Sequence, residues 1–88
     1  MNNGIFFPFF DIKGQEWEIF ICSKEILIFS ISKRDIFYRA HMIPIFFKEC
    51  ERYTMKFSHK NGRERIFLDQ ATAEKIESEI NKYCELGD

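Results

Sequence analysis

The sequence contains no valine, and it has only four glycines, two prolines and three cysteines among its 88 residues. The glycines stand far apart, so no glycine-rich loop could cradle a phosphate, which argues against nucleotide binding. Cys22, Cys50 and Cys84 are widely spaced and odd in number, which favours neither a disulfide framework nor a zinc site. We therefore expect no metal and no cofactor.

Long hydrophobic runs are also missing. The apolar run near the N-terminus, Ile5 to Phe10, ends at Asp11 and has no basic segment before it, so we do not expect a signal peptide. No run approaches the roughly 18 apolar residues of a membrane span. The sequence therefore predicts a cytoplasmic protein that makes no contact with a membrane.

Aromatic residues, in contrast, are abundant. Hydrophobic residues make up 45% of the chain and include eleven phenylalanines, a content too high for a disordered chain. Phenylalanine and isoleucine suit the pleated, half-buried surface of a sheet. The length of 88 residues allows one modest core, so we expect a single domain over residues 1–88 that is rich in β-structure.

Turn signals recur every eight to ten residues, a spacing typical of antiparallel strands. The segment around Pro44 is ambiguous, because proline cannot donate a ladder hydrogen bond, and residues 43–52 could form an edge strand, a bend or a helical turn. The other predicted strands are Ile5 to Asp11, Glu16 to Cys22, Ile26 to Ser32, Asp35 to His41 and the two arms of a hairpin over residues 53–68.

The hairpin has the strongest local signal, since Asn61-Gly62 separates two alternating runs and predicts a type I′ turn. With Asn61 and Gly62 as the loop, one face is apolar and the other is basic with one aromatic ring. The predicted cross-strand pairs are Lys60 with Arg63, His59 with Glu64, Phe57 with Ile66, and Met55 with Leu68.

A helix is predicted over residues 70–86. Asp69 or Thr72 can cap its first turn, and Gly87 stands where a C-terminal cap is expected. Apolar residues at three- and four-residue spacing form one stripe, which should pack on the sheet. The stripe consists of Ala73, Ile76, Ile80, Tyr83 and Cys84.

These elements predict an α+β fold of six to seven short antiparallel strands, arranged as a meander, small sandwich or half-barrel, with one C-terminal amphipathic helix on the sheet. The order of elements resembles that of pleckstrin-homology-like domains, a resemblance that implies a module for lipids or phosphopeptides. The resemblance carries over no binding residue. An α+β sheet with one helix packed across it fits the same order of elements equally well.

No constellation points to catalysis. His59 is placed opposite Glu64 near the hairpin tip, where a surface cross-strand pair explains the contact. His41 and Cys50 flank the Pro44 segment without the spacing of a cysteine-nucleophile signature. We therefore expect a protein that is not an enzyme.

Charge is unevenly distributed along the chain. Residues 33–65 carry nine basic and four acidic side chains, net +5, whereas residues 66–88 carry a net charge of −4. A basic hairpin face with one aromatic ring could follow a phosphate backbone and stack a base, although solvated strand faces often carry such charges and the acidic helix could neutralise them. The candidate nucleic-acid-binding residues are Lys56, Lys60, Arg63, Arg65 and Phe67.

The aromatic run near the N-terminus supports a different function. A strand from Ile5 to Phe10 is apolar on both faces, so we expect cover on both sides, from the fold or from a partner chain. Pro8 fits an edge strand, where another chain can pair. A filled core with a few single surface phenylalanines is the alternative. The candidate partner-binding residues are Phe6, Phe7, Phe9, Phe10 and Trp17.

The sequence thus predicts a small protein-binding module, possible as a homodimer, whose partner stays unidentified. Compact Ile-, Phe- and Lys-rich chains without catalytic motifs are typical of inhibitors carried by phages and mobile elements, including anti-CRISPR proteins, which occlude a channel or an assembly surface. Nucleic-acid binding through the hairpin is the alternative function, although a net charge of −1 is low for it.

Overall fold

The computed structural model describes residues 4–34 and 36–85. The strands form two antiparallel sheets with the orders β1-β2-β3-β4 and β5-β6-β7, and the helix packs on both. The predicted α+β fold, with seven antiparallel strands and one C-terminal helix, is confirmed. The elements are β1 (Ile5–Phe10), β2 (Glu16–Ile21), β3 (Ile26–Ser30), β4 (Phe37–Arg39), β5 (Ile45–Glu49), β6 (Arg52–His59), β7 (Gly62–Leu68) and α1 (Gln70–Tyr83).

The inner faces of the two sheets share one core. Alternate residues of each strand point inward, so the isoleucines of β2 and β3 meet the apolar residues of β6 and β7. The helix contributes the predicted stripe, with Ala73, Ile76 and Ile80 buried and Tyr83 partly buried against the core. The side chains with the least exposure include Ile19, Ile21, Ile26, Ile28, Met55, Leu68, Ile76 and Ile80.

Backbone hydrogen bonds join the two sheets at both edges. The Ala40 N–H donates to the carbonyl of Ile26 in β3, and the next N–H, that of His41, donates to Ser58 in β6. The chain therefore leaves one sheet and enters the other within two residues. At the opposite edge, the N–H of Ile12 in the β1–β2 turn donates to a carbonyl of β7.

The hairpin of β6 and β7 has a different register from the predicted one. Its two loop residues are Lys60 and Asn61, neither with a positive φ, and the positive φ of 142° lies at Gly62. The type I′ prediction is therefore wrong. A slip of two residues keeps every side chain on its face, so the alternating pattern could not distinguish the two registers. The observed pairs include His59 with Gly62, Phe57 with Glu64, Lys56 with Arg65, Met55 with Ile66, and Tyr53 with Leu68.

The ambiguous segment around Pro44 forms an edge strand. Strand β5 begins at Ile45, directly after the buried Pro44, and pairs only with β6. Cys50 and Glu51 then form the two-residue β5–β6 turn with φ values of 51° and 68°. Two positive φ angles are the geometry of a type I′ turn, which usually requires Asn-Gly. This turn therefore carries the backbone conformation that the sequence predicted for the next hairpin.

Asp69 caps the first turn of the helix, as predicted. Its Oδ1 accepts the backbone N–H of Thr72 at 2.7 Å. The hydrogen bond from Thr72 favours the carboxylate and lowers the pKa of Asp69. Such a cap satisfies one of the N–H groups that a helix start leaves unpaired.

The helix ends at Tyr83, three residues before the predicted end. Cys84 has an extended backbone, and the N–H of Glu85 donates to the carbonyl of Ser23 at 2.7 Å, which leads the chain away from the helix axis. The predicted cap at Gly87 lies outside the described residues. The bond to Ser23 ties the helix end to the β2–β3 turn.

Candidate functional site

The outer face of the four-stranded sheet carries a chain of aromatic rings, which we call the aromatic face. Phe6 of β1 contacts Phe20 of β2 and Phe29 of β3, with ring centroids 6.5 and 6.1 Å apart. Phe29 then contacts Phe37 of β4 at 5.0 Å. The rings thus cross all four strands, and Phe6 and Phe37 stay 56% and 49% exposed. The residues of the aromatic face are Phe6, Phe10, Phe20, Phe29, Ile31 and Phe37.

Strand register explains why these rings meet. Phe6 lies directly opposite Phe20, and Glu18 of β2 lies opposite Phe29, which in turn lies opposite Phe37. Side chains one step along the strand point to the core instead. Only the pairing of the strands brings the four rings to one surface, although they are separated by up to 31 residues in sequence.

Three of the five predicted partner-binding residues are buried or partly buried, so the structure does not place them on an exposed surface. Phe7 and Phe9 belong to the core with exposures of 9% and 5%, and Trp17 is partly buried, stacks on Phe9 and donates its Nε1–H to Asp11 at 3.0 Å. Because β1 alternates, Phe6, Pro8 and Phe10 face outward, and Phe6 remains accessible. Within the described part of the chain the fold covers only one face of this strand, so cover of the other face by a partner chain stays a prediction.

Phe6 and Phe10 are therefore the predicted residues that remain on the surface, each 56% exposed. The sequence prediction missed Phe20, Phe29 and Phe37. The alternation of Leu27, Phe29 and Ile31 gave a signal for β3, but only the strand register could place the Phe29 ring near Phe6 of β1.

A shallow concavity of about 320 Å³ lies beside Phe6 on this face. Its walls combine the apolar rings with one acidic and one basic side chain, Glu18 and Arg34. A ligand that fits here must bury apolar surface and leave charged groups at its edges. The lining residues are Phe6, Glu18, Phe29, Ser30, Ile31 and Arg34.

The outer face of the three-stranded sheet is the second candidate, which we call the basic face. Its side chains form rows across the strands: Phe47, Thr54 and Phe67 make one row, and Ile45, Lys56 and Arg65 make the next. Arg63 lies opposite Ser58 in the following row. The cations of the basic face are Arg52, Lys56, Arg63 and Arg65.

The structure brings most of the predicted basic residues together. Arg63 and Arg65 are exposed, and Lys56 and Phe67 are partly buried. Lys60 is separated from them, because the observed register makes it a turn residue at the hairpin tip, where it lines a different cavity.

Two residues of the basic face were missed by the prediction. The Arg52 guanidinium lies 4.4 Å from the centroid of the Phe67 ring, within cation–π range. Phe47 is the second addition, placed by the pairing of β5 with β6. Because the sequence did not assign residues 43–52 to a strand, it could not place Phe47 or Arg52 on this face.

Glu49 lies directly opposite Arg52, but no cation of the basic face forms an ion pair within 4 Å among the described residues. The ion pairs there join Arg39 to Glu25, His59 to Glu64, and Lys82 to Glu79. The acidic helix therefore forms no ion pair with the basic face among the residues described. Direct neutralisation by the helix, the structural alternative raised by the charge distribution, is not observed.

A polar cluster fills the end of the inter-sheet space at the hairpin tip. His59 Nε2 lies 3.2 Å from Glu64 Oε2, and the Tyr38 and His59 ring centroids are 4.6 Å apart. Burial raises the pKa of Tyr38, and the hydrogen-bonded Glu64 carboxylate raises it further. The predicted contact of His59 with Glu64 is present, but it is diagonal, and the His59 side chain is only 9% exposed.

The cavity beside this cluster measures about 360 Å³. The described residues that line it include no serine or cysteine nucleophile. The hydrogen-bonded side chains beside this cavity suit a structural role, in which they cover the core between the two sheets at this end of the fold. The lining residues are Phe37, Tyr38, Arg39, His41, His59, Lys60 and Asn61.

No protein-family model, curated protein or solved structure matches the chain significantly. Within residues 4–34 and 36–85, no group of three or more His, Cys, Asp or Glu side chains is arranged to hold a metal ion. No helix of that part of the chain is long and apolar enough to cross a membrane.

Proposed function

We propose that the protein is a non-catalytic binding module that holds an amphipathic helix of a partner protein on its aromatic face. The observation that carries the proposal is the unbroken chain of rings from Phe20 through Phe6 and Phe29 to Phe37, which lies on an outer face with Phe6 and Phe37 about half exposed. Exposed apolar patches of this kind are typical of interaction sites.

The size of the aromatic face favours a helix over a second copy of the chain. β1 and β2 are about 20 Å long, β3 about 17 Å and β4 about 10 Å, so the four strands at a spacing of about 4.8 Å present roughly 330 Å². This is less than half of the about 800 Å² per partner of a standard interface. A helix of about 13 residues spans the same 20 Å. Packing a helix on the apolar face of a sheet is also a common layer arrangement.

The charges beside the rings define the partner further. Glu18 and Arg34 flank the concavity at Phe6, so the helix should carry an aliphatic stripe bordered by residues of both signs. A small module that covers such a helix would act by occlusion, as an inhibitor or regulator of a larger complex of the phage or mobile-element kind. The buried Cys22 and exposed Cys50 suit the reducing cytoplasm, where we propose that it acts.

The test begins with a photo-crosslinking residue in place of Phe37, used in lysate of the source cells. Mass spectrometry identifies the crosslinked peptide, which is then synthesised and titrated by calorimetry. The exposed half of Phe6 is about 100 Å², so Phe6→Ser should remove at most about 2.5 kcal/mol, and we expect an affinity loss between 10- and 70-fold. Ile12→Ser, in the exposed β1–β2 turn, is the matched control and should bind normally.

Two results would contradict the proposal. The first is a crosslink from position 37 only to another copy of this chain, which would make the aromatic face a dimer interface. The second is a peptide whose affinity is the same for Phe6→Ser and Ile12→Ser. A crosslinked peptide that gains helical circular dichroism on binding, and loses affinity in Phe6→Ser, supports it.

A further inference from the structure

We propose that the basic face binds single-stranded nucleic acid, with phosphates held by Lys56, Arg63 and Arg65 and bases stacked on the neighbouring aromatic row. This site lies on the other sheet from the aromatic face, so it does not depend on the proposed function. The sequence predicted a row of basic residues on this face. The structure adds three observations that indicate the ligand: the pairing of Lys56 with Arg65, a neighbouring row of aromatic side chains, and a concavity beside the cations.

The pairing of Lys56 with Arg65 is the first argument. These residues lie directly opposite each other on adjacent strands, and like charges at such positions destabilise a sheet. No carboxylate of the described residues forms an ion pair with either of them. The fold thus bears a repulsion that an anionic ligand between the two cations would remove.

The spacing of the cations indicates a chain of phosphates. Arg63 and Arg65 are two positions apart on β7, about 6.8 Å along the strand, and Lys56 lies opposite Arg65 on the adjacent strand, about 4.8 Å away. The spacing of Arg63 and Arg65 along β7 is close to the separation of successive phosphates in an extended polynucleotide. A concavity of about 400 Å³ has Lys56, Ser58 and Arg63 on its polar side, where it provides room for a phosphate and Ser58 adds a hydroxyl donor. Its remaining lining is apolar and consists of Met42, Ile43, Ile45 and Phe57.

The aromatic row indicates unpaired bases. Phe47 and Phe67 flank Thr54 on the same face, one step from the Lys56–Arg65 pair. The Arg52 guanidinium already lies over the Phe67 ring at 4.4 Å, and both aromatic rings and guanidinium planes stack well on bases. A duplex hides its base faces inside the stack, so this platform suits a single strand.

Fluorescence anisotropy with labelled single-stranded oligonucleotides of about ten nucleotides, one DNA and one RNA, tests the proposal. Three neutralised phosphates predict a slope of about −2 for log affinity against log salt, an almost 20-fold loss between about 50 and 200 mM. Arg65→Gln should reduce the steepness of that slope by about 0.7. Lys24→Gln, an exposed lysine in the β2–β3 turn, removes the same charge elsewhere and should change neither affinity nor slope.

A second variant separates binding from folding. Lys56→Glu replaces the repulsion by an attraction to Arg65, so at low salt its melting temperature should rise by about 2–5 °C while oligonucleotide binding is lost. A merely structural role for Lys56 would not combine a gain in stability with a loss of binding.

Binding of the DNA or the RNA strand with these salt and variant effects supports the proposal, and the tighter of the two identifies the natural class. Equal affinity for a duplex of the same sequence would overturn it, because the stacking row would then be unused. Affinity that is the same in Arg65→Gln and Lys24→Gln would also overturn it. So would binding to anionic phospholipid vesicles with none to either strand.

Discussion

The β5–β6 turn holds two ordinary residues in a backbone conformation that suits Asn-Gly, so substitutions there should have a large effect on stability. Cys50 and Glu51 have φ values of 51° and 68° and connect Glu49 to Arg52 with no further residue. Replacing them by Asn and Gly should stabilise the fold, since asparagine tolerates the left-handed region and glycine enters it without a steric cost.

The expected gain can be worked from the two positions. A left-handed backbone costs a non-glycine residue about 1–2 kcal/mol, and Glu51→Gly removes this strain. The glycine also makes the unfolded chain more flexible, which offsets about 0.5–1 kcal/mol of the gain. Cys50→Asn recovers part of the cost at the first position. We expect the double substitution Cys50→Asn, Glu51→Gly to raise the free energy of unfolding by about 1–2 kcal/mol, and the melting temperature by about 5–10 °C.

Urea unfolding followed by circular dichroism measures this gain, and Asn61→Gly supplies the matched control. That substitution adds a glycine to the other two-residue turn, at a position whose φ is not positive, so it should destabilise the fold by about 0.5–1 kcal/mol. If Glu51→Gly destabilises the fold as much as Asn61→Gly, Glu51 does not hold a left-handed conformation in solution, which would refute this prediction.

Three further predictions concern the helix cap, the polar cluster and the aromatic strand. Asp69→Ala should lower the free energy of unfolding by about 1 kcal/mol near pH 7. The hydrogen bond from Thr72 lowers the pKa of Asp69, so the stabilisation by the cap is present above the ordinary pKa of 3.8 and disappears as pH falls through the folded-state pKa. If Asp69→Ala still lowered the free energy of unfolding in urea melts at low pH, this cause would be contradicted. Glu64→Gln should lower the pKa of Tyr38 toward its ordinary value, seen as earlier ionisation in an ultraviolet titration and absent when Tyr38→Phe is added. Phe9→Ala should cost about 3–5 kcal/mol in urea unfolding and Phe6→Ala about 1 kcal/mol, and the reverse order would refute their burial.

Most of the fold could be predicted because it depends on local signals. Turn residues at regular intervals placed the strands, and the stripe from Ala73 to Tyr83 placed the helix. The β5–β6 turn could not be predicted, since Cys50-Glu51 has none of the composition that its geometry favours. The hairpin register was missed for a related reason: Asn61-Gly62 marks the turn, while the alternation is the same for a slip of two residues.

The candidate sites were harder to predict, because they depend on which strands pair. The run from Ile5 to Phe10 identified an aromatic strand, but the sequence alone could not show which of its two faces is buried. Once paired with β2, the strand turns Phe7 and Phe9 to the core and leaves Phe6 beside Phe20. The basic face was predicted better, because all five of its predicted residues lie within one hairpin. A slip of two residues keeps the strand residues on their face and displaces only Lys60, which becomes a turn residue.

The uneven charge along the chain follows from the division into two sheets. Residues 33–65, with their net charge of +5, supply β4, β5, β6 and the start of β7. Four of their nine cations, Arg52, Lys56, Arg63 and Arg65, lie on the outer face of the second sheet. The outer face of the first sheet comes from residues 5–39 and is mainly aromatic. Since the two sheets share one core, these outer faces point away from it, and a helix on one leaves the other open. Phe6→Ser and Lys56→Glu should therefore act independently, each removing one kind of binding and leaving the other unchanged. Loss of both kinds in either variant would mean that the two faces are coupled through the fold.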